Sequence, residues 1–178
     1  GSPNYEALIP NIALWNRGGR RFDDVTTPSG LGHLQKGHGV SFADLDRDGD
    51  LDIFEVLGGA YTGDAFRNAV FQNPGFKNHW IEVRLVGAKS NRCAIGARIT
   101  ADFVENGKKR AVHAWVNCGS SFGGNPLRQH LGIGKCTVID RLTVYWPTSD
   151  TTQVFTQVAA DQRIIVTEGA EKFVTQQP

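Results

Sequence analysis

A chain of 178 residues, 40% hydrophobic and 21% charged, has the make-up of a soluble globule long enough to bury a core without staples. Its formal net charge of +1 leaves no excess of cations to neutralise phosphates, which argues against a nucleic-acid partner. No apolar run approaches the ~20 residues needed to cross a bilayer, so membrane insertion is not expected, and ten Phe and four Trp argue against disorder. Short alternating runs bounded by Gly, Asn, Asp or Pro then recur along the chain, and helical periodicity is hard to find. Glycine is unusually common, with 21 residues where about 12 would be ordinary. The pattern predicts an all-β protein.

In chain order, strand-like pieces fall at Ile12–Trp15, Val40–Ala43, Ile53–Leu57 and Ala69–Gln72, separated by glycine-rich stretches. Ala13-Leu14-Trp15-Asn16 before Gly18-Gly19 is echoed by Ala69-Val70-Phe71-Gln72 before Pro74-Gly75, a weak repeat of propeller-blade type. One such unit cannot bury its own faces. Longer strands follow near Trp80–Val86, Ala97–Val104, Lys109–Asn117, Ile139–Trp146, Thr152–Val158 and Arg163–Thr167. In the first of them Ile81, Val83 and Leu85 take one face and Glu82 and Arg84 the other. In Ile139–Trp146 the apolar Leu142, Val144 and Trp146 oppose Arg141, Thr143 and Tyr145. Two antiparallel sheets packed on their apolar faces account for this second half. The expected organisation is an N-terminal β repeat over residues 1–76, an antiparallel β-sandwich over 77–169 and a polar tail over 170–178. Gly1-Ser2 reads as a cloning remnant, so the lack of a leader carries no information on secretion.

The strongest chemical signal is Asp44-Leu45-Asp46-Arg47-Asp48-Gly49-Asp50-Leu51-Asp52, five carboxylates in nine residues. Without a cation they repel one another. Alternate spacing turns Asp44, Asp46 and Asp48 toward one centre, Gly49 allows the sharp turn, Asp50 offers its carbonyl and Asp52 closes the cage. A hard cation taking six to eight oxygens fits, which means Ca²⁺; Mg²⁺ prefers to keep its waters. The competing reading is a solvated acidic turn. The string also satisfies the EF-hand spacing with Glu55 in the twelfth position. Yet Gly30, Gly32, Gly37 and Gly39 would cripple an entering helix, and the residues after Leu51 are β-prone. A strand–loop–strand hairpin is expected, with Glu55 on the strand.

Other candidates are weaker. Trp15, Trp80 and Trp146 read as packing residues. In Lys109–Asn117 the apolar Val112, Ala114 and Val116 leave His113, Trp115 and Asn117 on the opposite face, and Arg141 and Tyr145 point outward from another strand. A flat aromatic beside hydrogen-bonding side chains suits a sugar ring; the alternative is that Trp115 packs on the N-terminal repeat. The glycine-rich loop Asn117–Leu127, with Phe122, is a candidate binding rim. Five dispersed His show no zinc spacing, Ser120-Ser121 lacks a G-x-S-x-G elbow, and three Cys allow at most one disulfide. A glycosidase carboxylate pair depends on separation in space and is left open.

Gly37-His38-Gly39-Val40-Ser41-Phe42-Ala43, the Asp loop and Leu51-Asp52-Ile53-Phe54 together resemble an FG-GAP/VCBS repeat, a calcium-binding blade unit. From Asn78-His79-Trp80 onward the chain resembles the ASPIC/UnbV domain. The segments that carry this are Ala94-Ile95-Gly96-Ala97-Arg98, Leu131-Gly132-Ile133-Gly134 and Asp140-Arg141-Leu142-Thr143-Val144-Tyr145-Trp146-Pro147. The resemblance implies a secreted or cell-surface module for adhesion or ligand binding, with no catalytic activity attached. Proteins of this type usually string several repeats ahead of the C-terminal domain, so this chain reads as part of a longer multidomain chain or as a compact variant. Cys93 and Cys118 stand where small or polar residues are expected, which makes a bridge between them one possibility. The expected function is a non-catalytic, calcium-stabilised extracellular binding module for a polysaccharide. A protein–protein adhesion module for a cell-surface protein comes second, and a polysaccharide-active enzyme third.

Overall fold

The computed structural model describes residues 10–34, 36–59, 63, 65–119 and 124–176. Every regular element among them is a strand. These are β1 (Leu14–Asn16), β2 (Phe22–Asp24), β3 (Gly37–Ala43), β4 (Asp52–Leu57), β5 (Ala69–Phe71), β6 (His79–Val86) and β7 (Arg98–Glu105). There follow β8 (Lys108–Trp115), β9 (Gln129–Gly134), β10 (Val138–Trp146), β11 (Thr151–Ala159), β12 (Gln162–Thr167) and β13 (Val174–Gln176). The fold is all-β and contains a β-sandwich.

The strands divide between two compact units. One takes in the chain up to Ser41, Ile53–Phe71 and Gly124; the other takes in Phe42–Asp52, Gln72–Gly119 and the chain from Asn125. The first unit holds the β1-β2 hairpin and most of a three-stranded sheet in the order β3-β4-β5. The echoing segments of the sequence are both strands, β1 and β5, but they lie in different sheets. Trp15, expected to pack, is 54% exposed and carries the Arg17 guanidinium 3.6 Å from its ring centroid. A two-stranded hairpin has no second layer under which to bury an indole. Glu55 sits buried on β4, where it accepts a hydrogen bond from the Asn11 amide. That burial pushes its pKa up, against the opposing pull of His33.

The second unit is the sandwich. Its sheets run β11-β10-β7-β8 and β13-β12-β6-β9. Their inner faces form one core from Ile81 and Val83, Ile99 and Phe103, Leu131 and Ile133, Leu142, Val144 and Trp146, and Ile164 and Val166. These are the apolar positions that the two-residue alternation assigns inward. Each such burial contributes about 1.5–3 kcal/mol.

Two expectations need correction. The second sheet is not wholly antiparallel, because β12 runs parallel to β6, pairing Gln162 with Ile81 and Thr167 with Val86. Parallel neighbours need a long crossover, and the chain between Val86 and Gln162 supplies one, building the whole opposite sheet and adding β9 beside β6 on the way. The terminal segment is not simply a polar tail. Residues Val174–Gln176 add β13 to the edge of β12, and Phe173 packs edge-on against Phe155, ring centroids 5.5 Å apart. Edge pairing of a short polar strand is made by the backbone, so its side chains give little sign of it.

A buried carboxylate ties the end of the sandwich together. Glu168 Oε2 accepts the amides of Ala88, Lys89 and Ser90 at 2.8, 2.7 and 2.7 Å, and Oε1 accepts the Ser90 and Ser149 hydroxyls at 2.9 and 2.6 Å. Burial alone would raise its pKa, but the hydrogen bonds, that from Ser149 first, outweigh it and hold the pKa at about 2. A depressed folded-state value stabilises the protein above the ordinary carboxylate range and is lost as pH falls through about 2. Urea midpoints are therefore expected to drop from pH 5 to pH 3, and Glu168→Gln to flatten that drop while lowering the midpoint at pH 7.

Candidate functional site

The Asp loop joins β3 to β4, so the predicted strand–loop–strand hairpin is what the chain forms. Its own carboxylates wind it. Asp46 Oδ1 accepts the Asp48 amide at 3.3 Å, Asp48 Oδ1 the Asp50 amide at 2.9 Å, and Asp44 Oδ2 the Gly49 amide at 3.2 Å. Such side-chain-to-backbone turns are what closely spaced Asp residues favour. Asp52 is buried beneath them, with Oδ2 accepting the Leu45 amide at 3.0 Å and Oδ1 the Asn73 amide at 2.9 Å. Its carboxylate thus braces the loop from below.

Asp44, Asp46 and Asp48 each bring one carboxylate oxygen within 4.8 Å of the others. Asp46 Oδ2 also accepts the Gln72 side-chain amide at 2.6 Å. The Asp50 carboxyl has its pKa raised by burial first and then by Asp48, with Asp44 and Asp52 adding to the effect and His130 opposing it. Crowded negative charge of this kind is what a bound cation relieves. Glu55, on β4 and bonded to Asn11, is not part of the three-carboxylate group.

The loop rests on the sandwich unit through residues that the spacing does not reveal. Arg163, on β12, donates from Nη2 to Asp44 Oδ2 at 2.9 Å, and its Nε lies 3.6 Å from Glu82 Oε1. The Asp44 side chain is only 3% exposed. Its other oxygen, Oδ1, is buried with no hydrogen-bond partner among the described residues. Gly49 lies against the indole of Trp80, which stacks on His130 at 5.3 Å with 18° between the planes. The Arg163 guanidinium lies 5.5 Å from the Trp80 ring centroid. Trp80 is a packing residue, as expected, and what it packs is the loop. Burial pushes the His130 imidazole pKa down, partly offset by Glu82 and Asp44.

The aromatic candidates lie on the outer face of the β11-β10-β7-β8 sheet. Strand register sets Trp115 beside Arg98, Arg98 beside Tyr145 and Tyr145 beside Thr152. The next row is His113, Thr100 and Thr143, in which His113 Nδ1 and Thr100 Oγ1 are 3.0 Å apart. Arg141 donates from Nε to Thr143 Oγ1 at 3.2 Å, and the Tyr145 hydroxyl donates to Asp150 at 3.1 Å. Trp115 is 63% exposed, which settles its direction. Asn117 follows it, exposed, its amide 3.4 Å from the Trp115 carbonyl. Phe122 lies outside the described residues. Cys93 and Cys118 are both exposed free thiols, so the bridge between them is not formed. His79 has Nδ1 2.6 Å from Asp161 Oδ2.

Family models match the chain in two places: an FG-GAP-like repeat over residues 9–55, and ASPIC and UnbV over residues 87–173. The chain is an FG-GAP-like repeat followed by an ASPIC/UnbV domain. The Asp loop falls within the FG-GAP-like match, and the Trp115 face belongs to the ASPIC/UnbV domain. Both are modules of extracellular type. Among the described residues no helix is long and apolar enough to cross a membrane. No curated protein matches the chain.

Proposed function

We propose that the chain is a non-catalytic, calcium-stabilised extracellular binding module whose ligand is a polysaccharide. The observation that carries the ligand class is the exposed Trp115 in line with Arg98 and Tyr145 on the outer sheet face. The indole offers a surface on which the C–H face of a sugar ring stacks. Arg98, His113, Arg141 and Tyr145 offer hydrogen bonds to its hydroxyls, and an open face accommodates a polymer.

Calcium fits the loop on two counts. Three carboxylate oxygens already converge, and one oxygen of a buried Asp44 has no other partner. Asp44, Asp46 and Asp48 would hold the ion, with the Asp50 carbonyl, while Asp52 keeps the loop in shape. The ion would supply charge neutralisation, and with it rigidity of the hairpin.

The test is depletion of the protein from solution by a panel of immobilised polysaccharides. Retention on one or a few of them is expected, with Trp115→Ala weakening it about tenfold or more and leaving the melting temperature almost unchanged. No retention on any polysaccharide by folded, calcium-loaded protein would overturn the proposal. It would favour a protein partner, the reading to which the exposed Phe54 and Val70 of the repeat lend support. Turnover of a polysaccharide would overturn the non-catalytic part.

A further inference from the structure

Arg98 stands between the two aromatic residues on the outer face of the β11-β10-β7-β8 sheet, with Trp115 opposite it on β8 and Tyr145 opposite it on β10. Direct cross-strand neighbours bring their Cβ atoms within about 4.5–5.5 Å of each other. A ring stacked on Trp115 therefore lies within reach of the Arg98 side chain. Arg98 is exposed, and among the described residues its guanidinium has neither an ion pair nor a side-chain hydrogen bond. Other arginines of the sandwich unit are paired with its carboxylates: Arg110 with Glu105, Arg128 with Glu82 and Arg163 with Asp44. Arg98 has no such structural partner. The carboxylates of its own face do not pair with it. Asp102 lies further along β7, about 14 Å away at the rise of an extended strand, where it stands opposite Arg141. Asp150 is bonded to the Tyr145 hydroxyl, at the far end of that side chain.

We infer that the polysaccharide taken by this face is acidic, and that a carboxylate or sulfate on the sugar stacked against Trp115 seats on Arg98. The inference rests on the polysaccharide reading and narrows its ligand class. A guanidinium presents parallel donors that match two oxygens of a carboxylate or a sulfate, and such charge-assisted pairs are about twice as strong as neutral hydrogen bonds. A neutral hydroxyl would leave the charge and most of the fork unused. The formal net charge of the chain is only +1, so a polyanion is not drawn to the molecule as a whole. A preference for one is local to this row, with Trp115 stacking the ring and Arg98 selecting its charge.

The test uses the full calcium-loaded chain and pairs of immobilised polymers that differ in the charged group: polygalacturonate against its methyl ester, and dextran sulfate against dextran. The acidic member of at least one pair is expected to retain the protein about tenfold more tightly than its neutral partner in low salt. High salt should shrink the difference. Which pair responds distinguishes a carboxylate from a sulfate. Arg98→Gln should remove the preference without moving the melting temperature, and Arg98→Lys, which keeps the charge but not the fork, should keep part of it. Arg84→Gln takes the same charge from an exposed position on β6, in the other sheet, and should leave the preference unchanged. Equal retention on acidic and neutral members, a preference that survives Arg98→Gln, or one that Arg84→Gln removes equally well would overturn the inference. Retention on neutral polysaccharides only would overturn it and leave the polysaccharide reading standing, whereas no retention on any polymer would overturn both.

Discussion

Gly49→Ala is expected to lower stability by about 3 kcal/mol or more, the sum of backbone strain and overpacking, and to weaken calcium binding with it. Gly49 has φ +96°, a region that side chains rarely adopt. A Cβ built on it would lie 2.0 Å from Trp80 Nε1 and 2.6 Å from Cε2, inside the indole. The loop must lift away or Trp80 must turn. Turning Trp80 breaks its stack on His130 and its contact with Arg163, and Arg163 is the partner of Asp44. In a chain of this length the melting temperature should fall by about 6–12 °C. A fall of one or two degrees would show that the loop does not depend on its seat against Trp80.

Asp44→Asn should produce the second large effect. The amide keeps the shape of the carboxyl and an acceptor for the Gly49 N–H. It removes the charge facing Arg163, whose side chain is only 13% exposed. Breaking one side of a buried ion pair costs about 3–5 kcal/mol. The lower end is expected here, because Glu82 remains 3.6 Å from Arg163 Nε. The variant should also lose its melting response to Ca²⁺. Asp46→Ala separates the two causes, since Asp46 is exposed and lies outside that ion pair. It should lose the calcium response with a much smaller change in the stability measured in EDTA. Equal losses of stability in EDTA for the two variants would contradict the role given to Arg163.

The parts of this protein legible in its sequence are those where a local pattern carries the physics. Two-residue alternation placed Ile81, Val83, Leu142, Val144 and Trp146 inward and Trp115 outward, and their burial follows it. The spacing of Asp44, Asp46 and Asp48 marked three carboxylates that do converge. What was not legible depends on partners distant in the chain. Asp44 and Arg163 are 119 positions apart, and nothing around Arg163 marks it as the partner of the loop. Trp80 reads as a packing residue, but that it seats Gly49 follows only from the fold. β9 is not legible as a strand because Gly132 and Gly134 occupy the positions where polar side chains would complete an alternation. Glu168 looks like any charged residue after a strand, yet it gathers three backbone amides and two hydroxyls. Trp15 shows the opposite error, since a large aromatic in a strand buries itself only where a second layer exists to cover it.

The central claim is that the Asp loop, braced on the sandwich unit by Trp80 and Arg163, takes a calcium ion that stabilises the fold. The most direct test is thermal melting of the wild-type chain and of Asp46→Ala, each in EDTA, in excess Mg²⁺ and in Ca²⁺. At a hundredfold excess over Kd the ion adds about 2.7 kcal/mol, so Ca²⁺ should raise the wild-type melting temperature by about 5–10 °C. Mg²⁺ should raise it less, and neither ion should move Asp46→Ala. A wild-type transition that is the same in Ca²⁺ and EDTA, or a calcium response that survives Asp46→Ala, would contradict the account.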